Sequence, residues 1–384
     1  DTTSTLTIND MKNAPYDDPR WEELVNKVTV AEFLDFSANA FHNIQGIASV
    51  NMPQKAADDG PGGSDSHYLN EGGYQGVPYA DAADYTSGTR VAPSPVNLAY
   101  AWNKELAFEN GEIILGESTL VLDLPIMIGP GMNIHRHAYN ARGVEYYSED
   151  PILSGYVGSA VVQGAQSKGT LVNIKHMGFN DQEHNRAGIS AYMTEQKFRE
   201  TDLRGFEGAL SDAFGMGVMI AFNRIGATNA SHHVGMIQKI VRGEWGFKGL
   251  ISTDMMNNYL YFNAESMVMA GITQVADFAA DNSHINLGEG GVDAVWPHIS
   301  LETVSKDSNL VEQARENLKY QLYIFANSAI LNISTQRVNT WWDTALTVTT
   351  YASSILAVLF FLAWVVLTLL PEKKPVVVRV ENKR

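Results

Sequence analysis

The stretch "GLISTDMMNNY" (residues 249–259) is an apolar run that ends abruptly in an aspartate. Leu250 and Ile251 have the character of a buried strand, and Asp254 falls where that strand should emerge. A carboxylate there has two readings. It is a turn or helix-capping aspartate, the common use of that residue at strand-to-helix junctions, or it is catalytic, because barrel enzymes place their chemistry at the C-terminal ends of strands. "TLVNIKHMGFNDQEHNR" (170–186) repeats the pattern, ending an apolar run in Lys175 and His176. A cation at that position is costly to bury unless it is paired, and donors of this kind suit hydroxyl groups. His176, Asp181 and His184 also invite a metal reading, but their spacing matches no strong zinc pattern. "RGVEYYSEDP" (142–151) sets Arg142 and Glu145 ahead of a helix entry, with Ser148 as the expected cap and Asp150 before Pro151. "DDGPGG" (58–63) offers Asp59 in a glycine turn.

Composition narrows the chemistry. The 384 residues are 45% hydrophobic with seven tryptophans, enough for one large domain with additions or for two domains. A net charge of −16 argues against nucleic acid as a partner, whose backbone demands a basic surface. The chain has no cysteine, which removes disulfides, thiol nucleophiles and cysteine-held metals. No G-x-S-x-G elbow and no phosphate-binding glycine loop is present, and no cofactor motif is read. Carboxylates, a lysine, a histidine and arginines without a cofactor suit a ligand made of hydroxyls. Glycoside hydrolysis is one such chemistry, and its retaining form needs two carboxyl groups about 5–5.5 Å apart.

The elements that must position these groups alternate. Helical patterns at 103–120, 152–169, 195–214, 231–246 and 310–330 are interleaved with apolar runs at 122–134, 170–177, 216–223 and 247–254. Such alternation predicts parallel strands and an α/β fold, and a barrel would gather Lys175, His176, Asn223 and Asp254 at one rim. Residues 51–95, rich in Gly, Asp, Pro and Tyr, show no regular pattern. Residues 1–19 read as a linker from an upstream domain, followed by a domain over 20–333.

Residues 345–370 contain no charge and reach the roughly 20 apolar residues that cross a bilayer. Trp341 and Trp342 precede the run in a juxtamembrane segment (334–344). The tail 371–384 carries Lys373, Lys374, Arg379, Lys383 and Arg384 against Glu372 and Glu381, which by the positive-inside rule makes it cytoplasmic and the acidic remainder extracellular. "NAS" (229–231) and "NIS" (332–334) match the glycosylation pattern.

"GPGMNIHRHAYNARGVEYYSEDPILSGYVGSAVVQGAQSKGTLVNIKHMGFNDQEHNR" and "VRGEWGFKGLISTDM", in that order, resemble glycoside hydrolase family 3 over about residues 17–330. The resemblance implies a (β/α)8-type, TIM-like barrel, here followed by a single C-terminal transmembrane helix. It makes Asp254 the nucleophile of a retaining exo-β-glycosidase, β-glucosidase-like, acting on an oligosaccharide or β-glucoside. Asp59, Arg142, Lys175, His176 and Arg186 match positions that grip the innermost sugar. Phe222 and Met255 occupy pocket positions where a tyrosine and a tryptophan are usual, and Asp65 stands where many members have an arginine. These departures imply altered sugar preference or lost activity, the latter leaving a glycan-binding or scaffolding module. The family's acid/base residue usually comes from a sandwich domain, which is therefore an expected partner. Glu145, Glu149 and Glu183 are in-chain alternatives. The N-acetylglucosaminidase branch is disfavoured, because its glycine–histidine loop pattern is missing from "KHMGFNDQEHNR".

Overall fold

The computed structural model describes residues 3–38, 43–60, 93–117, 120, 124–180, 182–186, 189–255, 263–276, 306–331 and 341–370. Asp65, Asp181, Asn332 and the basic tail lie outside the described residues. The chain divides into two units, Asp1–Ile333 and Ser334–Arg384.

In the first unit, α1 (Arg20–Lys27) and α2 (Val30–Ala38) lead to β1 (Asn43–Ile44) and β2 (Lys55–Asp59). Helices α3 (Pro95–Tyr100) and α4 (Lys104–Asn110, continuing through Gly111–Glu117) precede β3 (Ile126–Gly131), α5 (Pro151–Ser167) and β4 (Leu171–Met177). Then come β5 (Ser190–Ala191), helical turns over 195–212 (α6), β6 (Gly217–Ile220), β7 (Arg224–Ile225) and β8 (Thr228–Asn229). Helix α7 (Gly235–Glu244), β9 (Leu250–Thr253), α8 (Ala264–Ala270) and α9 (Ser308–Ala326) complete the unit. The main sheet has the order β1-β2-β3-β4-β6-β9. Its strands from β2 onward are parallel, whereas β1 runs antiparallel to β2. Ser252 also pairs in parallel with Gln274, so the chain beyond α8 extends the order. The alternation read from the sequence is therefore present, and the structure is α/β.

Side chains alternate across this sheet with period two. Met127, Val172, Ile174, Val218, Ile220 and Ile251 pack outward with α4–α7. Ala57, Ile126, Ile128, Leu171, Met219 and Leu250 pack in a second cluster with α1 and α9. By the same alternation Asp59, Asn173, Lys175 and Ser252 fall on that second face, where the Asn173 amide donates to Ser252 Oγ at 2.9 Å. Of these, Asp59, Lys175 and Ser252 stand in the C-terminal parts of their strands.

The start of the chain is not the linker its composition suggested. Ile8 and Met11 are fully buried, and Tyr16 stacks on Tyr320 of α9 with ring centroids 5.2 Å apart. The expected cap of α5 also moves. Asp150, not Ser148, accepts from Ile152 N and Leu153 N at 2.7 and 2.9 Å, while Ser148 Oγ braces Asp150 N at 3.0 Å. Asn229 of the "NAS" motif is buried, donating to Phe222 O and accepting from Ser231 N. It is not placed to carry a glycan.

Arg242 ties α7 to the turn before β9. Buried, it donates to Phe247 O and Gly249 O at 2.9 and 2.8 Å and lies 3.8 Å from the centroid of Tyr320. Burial pulls its pKa down to about 10. These bonds hold the strand that ends in Asp254.

In the second unit, α10 (Trp341–Leu369) contains an apolar run, Thr344–Leu369, with mean hydropathy 2.4. Five of its hydroxyls, on Thr349, Thr350, Ser353, Ser354 and Thr368, donate to carbonyls about a turn earlier in the same helix, which lowers their cost in an apolar surrounding. The helix is long and apolar enough to cross a membrane.

Helices α4 and α5 cross backbone against backbone, through glycines. A Cβ on Gly164 would collide with Phe108 O, and one on Gly111 with Val161 O. Neither obstacle is the mobile end of a side chain. Gly164→Ala is therefore expected to destabilise the first unit by about 1–3 kcal/mol, the usual cost of overpacking. Denaturant unfolding of wild type and variant measures this, and an unchanged midpoint would contradict so close a crossing.

Candidate active site

Strand ends bring the chemistry together. Lys175, 3% exposed at the end of β4, reaches Asp59 Oδ1 of β2 at 2.5 Å and Glu145 Oε1 at 3.2 Å. Burial alone would lower its pKa, but the two carboxylates override this and hold it above the ordinary lysine value. Glu145 is clasped from its other side by Arg142, Nε to Oε2 at 2.6 Å and Nη2 to Oε1 at 2.9 Å. Burial opposes the charge on Arg142 as well, yet Tyr146, Glu145 and Glu183 keep its pKa raised. Glu183 lies 3.8 Å from Arg142 Nη1 and 3.0 Å from Arg186 Nη1. The result is an alternating series, Asp59–Lys175–Glu145–Arg142–Glu183–Arg186, spanning the ends of β2 and β4 and the loops after β3 and β4.

Asp254 stands beside this series, at the end of β9. Its backbone N–H donates to Ile220 O at 3.1 Å, and its Oδ1 accepts from Met255 N at 2.8 Å. Oδ2 is buried without a hydrogen-bond partner. Burial pushes its pKa up to about 6, against the opposing pull of Arg186, the Met255 N–H, Arg142 and Lys175. His176 Nε2 is 3.6 Å from Oδ2. The imidazole is buried and surrounded by Arg142, Lys175 and Arg186, so its pKa falls well below the usual value and it is neutral at pH 7. The contact is therefore a polar one and not an ion pair. Asn133 locks the histidine backbone, its amide donating to His176 O at 2.9 Å and its Oδ1 accepting from His176 N at 2.8 Å.

The sequence-predicted residues Asp59, Arg142, Lys175, His176, Arg186 and Asp254 thus fall in one cluster. Phe222 joins it from the residues just after β6, its ring 4.5 Å from the Arg186 guanidinium. Met255 differs, since it packs against the outward hydrophobic cluster. Asn133 and the linking role of Glu145 were missed from the sequence. "GPGMN" marks the place of Asn133 but gives no sign of what it binds. Among the described residues no group of three His, Asp or Glu is arranged to hold a metal. A hollow of about 1010 Å³ adjoins the cluster, sharing Glu183 and Asn223 with this rim.

Residues 66–276 match the family model of the glycosyl hydrolase family 3 N-terminal domain. A probable β-glucosidase K of Emericella nidulans is 32% identical over 238 residues, covering 62% of this chain and 26% of that protein. An exo-α-(1→6)-L-arabinopyranosidase of Bifidobacterium breve is 31% identical over 221 residues, covering 58% of this chain and 28% of that protein. The chain therefore spans only a part of the curated relatives it matches. β-Glucosidase 3B of Thermotoga neapolitana superposes with a TM-score of 0.68 at 26% identity, covering 83% of this chain and 44% of that one. A β-D-glucoside glucohydrolase of Trichoderma reesei, at 19% identity and a TM-score of 0.66 over 81% of this chain and 40% of that one, shares the fold. The α/β unit is thus TIM-like, and its sequence, fold and residue pattern agree: the chain belongs to glycosyl hydrolase family 3.

Proposed function

We propose that this chain is the nucleophile-bearing part of a retaining exo-β-glycosidase, β-glucosidase-like, acting on terminal non-reducing sugars. The observation that carries the reading is the unpartnered Oδ2 of Asp254, buried at a strand end within the field of Lys175, Arg142 and Arg186. In the first step Oδ2 attacks the anomeric carbon, the bond to the leaving oxygen breaks, and an acid gives that oxygen a proton. In the second, water cleaves the glycosyl ester and returns the carboxylate. Lys175 has three donors and uses two on Asp59 and Glu145, leaving one for a sugar hydroxyl. Asp59 accepts from sugar hydroxyls, and neutral His176 offers a donor without adding charge. Arg142 spends its fork on Glu145 and serves by positioning it.

Glu145 and Glu183 are each held by two cations, so neither is free to protonate a leaving group. An acid/base carboxylate from a further domain, of sandwich type, fits this arrangement. The domain limits we propose are a barrel domain over 20–333, closed as a (β/α)8-type barrel, with 3–19 packed onto it. A juxtamembrane segment (334–344), a membrane span (345–370) and a cytoplasmic tail (371–384) would follow, placing the barrel outside the cell. The rival, a glycan-binding module without catalysis, draws on Phe222 and Met255, which supply neither a hydroxyl near Asp254 nor a flat ring beside it.

Incubation of the full chain with 2-deoxy-2-fluoro-β-glucosyl fluoride tests the reading, because the fluoride leaves without acid assistance. The expected result is a mass increase of one fluorosugar, mapped to Asp254 and missing in Asp254→Asn. No adduct on the chain, alone or with its acid-bearing domain, would favour the binding module. The rate of trapping should also follow the ionised fraction of Asp254. It is expected to be level above pH 6 and to fall about tenfold per unit below it. Arg186→Met removes the strongest of the opposing charges, so it should move this limb to higher pH. A limb that stays in place would show that Arg186 does not set the field at Asp254.

A further inference from the structure

Among the described residues, neither ring nitrogen of His176 makes a hydrogen bond. Nδ1 is buried without a partner, and Nε2 stands 3.6 Å from Asp254 Oδ2, beyond bonding distance. A functional histidine is ordinarily aimed by the bond its second nitrogen makes. The aim of this ring has to come from its main chain, and that main chain lies where the sheet is irregular. β3 pairs with β4 only as far as Gly131 opposite Lys175, with a register shift between Ile128 and Gly131. On the other side, the ladder from β4 to β6 shifts between Ile174 and Met177, which passes over His176. Met132 N donates to Lys175 O at 2.6 Å, and Ala221 N donates to Met177 O at 2.8 Å. Between these two bonds stand the N–H and C=O of His176, a residue 2% exposed. Buried backbone groups of this kind are costly without partners.

Asn133, itself buried, fills that gap. Its Oδ1 accepts from His176 N at 2.8 Å and its Nδ2 donates to His176 O at 2.9 Å. These partners also fix which way the amide faces, because the N–H can only donate and the carbonyl only accept. A side-chain amide carries the same donor and acceptor as a peptide group, so Asn133 continues the ladder where β3 leaves it. We infer that Asn133 is a positioning residue for the reaction. By taking the place of a continuing strand, its amide sets the His176 ring against Asp254. Through the same backbone it keeps the Lys175 ammonium between Asp59 and Glu145. The inference rests on the glycosidase reading above and deepens it: the alignment of nucleophile and sugar-holding donors depends on a side chain that acts only through His176.

Two changes that keep the shape of the side chain separate positioning from packing. Asn133→Leu removes both bonds. Asn133→Asp keeps an acceptor for His176 N but, when ionised, sets an oxygen against His176 O; when protonated, its O–H donates there as the amide did. The charged and titratable groups about this backbone are Lys175 on β4, Asp59 on β2, Arg142 and Glu145 after β3, Arg186 after β4 and Asp254 after β9. With the full chain in detergent micelles, the rate of trapping by 2-deoxy-2-fluoro-β-glucosyl fluoride and the calorimetric affinity for glucose are measured between about pH 5 and pH 8. Asn133→Leu should slow trapping about tenfold to a hundredfold at every pH, the loss that a small misplacement causes. Asn133→Asp should be as slow near pH 8 and approach the wild-type rate as the pH falls towards about 6, turning a plateau into a peak. Unfolding midpoints at each pH verify folding, and if Asn133→Leu does not fold, the profile of Asn133→Asp decides. A wild-type rate from either variant near pH 8 would overturn the inference. Slowing of Asn133→Asp by one constant factor, in step with a lowered midpoint, would mark a role in stability alone and overturn it too. A wild type that binds glucose but is not trapped, with the same pattern of affinities in the variants, would keep the positioning and remove the reaction. Trapping that the variants leave unchanged would do the reverse, and a wild type that is neither trapped nor binds glucose would overturn both.

Discussion

A lysine buried at the mouth of a parallel sheet must have countercharge, and much of this site follows from meeting that need for Lys175. Moving an ammonium out of water costs several kcal/mol. An opposite charge about 4 Å away returns roughly 4 kcal/mol at the dielectric typical of such places. One carboxylate therefore only about balances the cost, and Lys175 has two, Asp59 and Glu145. The second creates its own requirement, which Arg142 meets with a forked pair; Glu183 and Arg186 extend the series. The pairs Lys175–Asp59, Lys175–Glu145 and Arg142–Glu183 join stretches distant in sequence, so the series fixes the end of β2 and the loops after β3 and β4 relative to one another. Breaking one link strands a charge on each side of it.

Asp254 acquires its character by being left out of that series. The cations nearest in effect to it are already paired, so they lower its pKa without forming a bond to Oδ2. Burial outweighs them and the carboxyl settles at about 6. At neutral pH it is ionised, yet poorly solvated and unbonded at one oxygen, which is the state a nucleophile needs. His176 stays neutral for the converse reason, since three cations surround it. The series itself pairs three acids with three bases, and it therefore presents directional donors and acceptors with little net charge. That balance suits an uncharged ligand rich in hydroxyls and fits poorly with a phosphate or a cationic peptide.

What the sequence made legible follows from how local each signal is. Asp254, Lys175 and His176 announce themselves because polar residues terminate apolar runs, a feature visible within ten residues. The α/β alternation is legible for the same reason. Asp59 has no such signature; a glycine turn is its ordinary setting, and only the family resemblance separates it from other turn aspartates. Asn133 and the bridging place of Glu145 depend on partners 43 and 30 positions away, which no local pattern encodes. The burial of Ile8 and Met11 was hidden because isolated apolar residues in a polar stretch look like linker until a partner such as α9 is in place. The cleft beside Asn223 is legible only in three dimensions, since its walls come from stretches that are separate along the chain.

The departures at Phe222 and Met255 gain meaning from this geometry. Phenylalanine keeps the flat face on which Arg186 rests, so the cation stays placed, while the hydroxyl that a tyrosine would bring near Asp254 is lost. A carboxylate deprived of a donor is less stabilised in its charged form, in keeping with the vacancy at Oδ2. Methionine at 255 turns into the hydrophobic cluster and cannot serve as a flat platform for a sugar. Exposed aromatic surface is instead found at Tyr139 and Tyr192, on a different wall of the same rim.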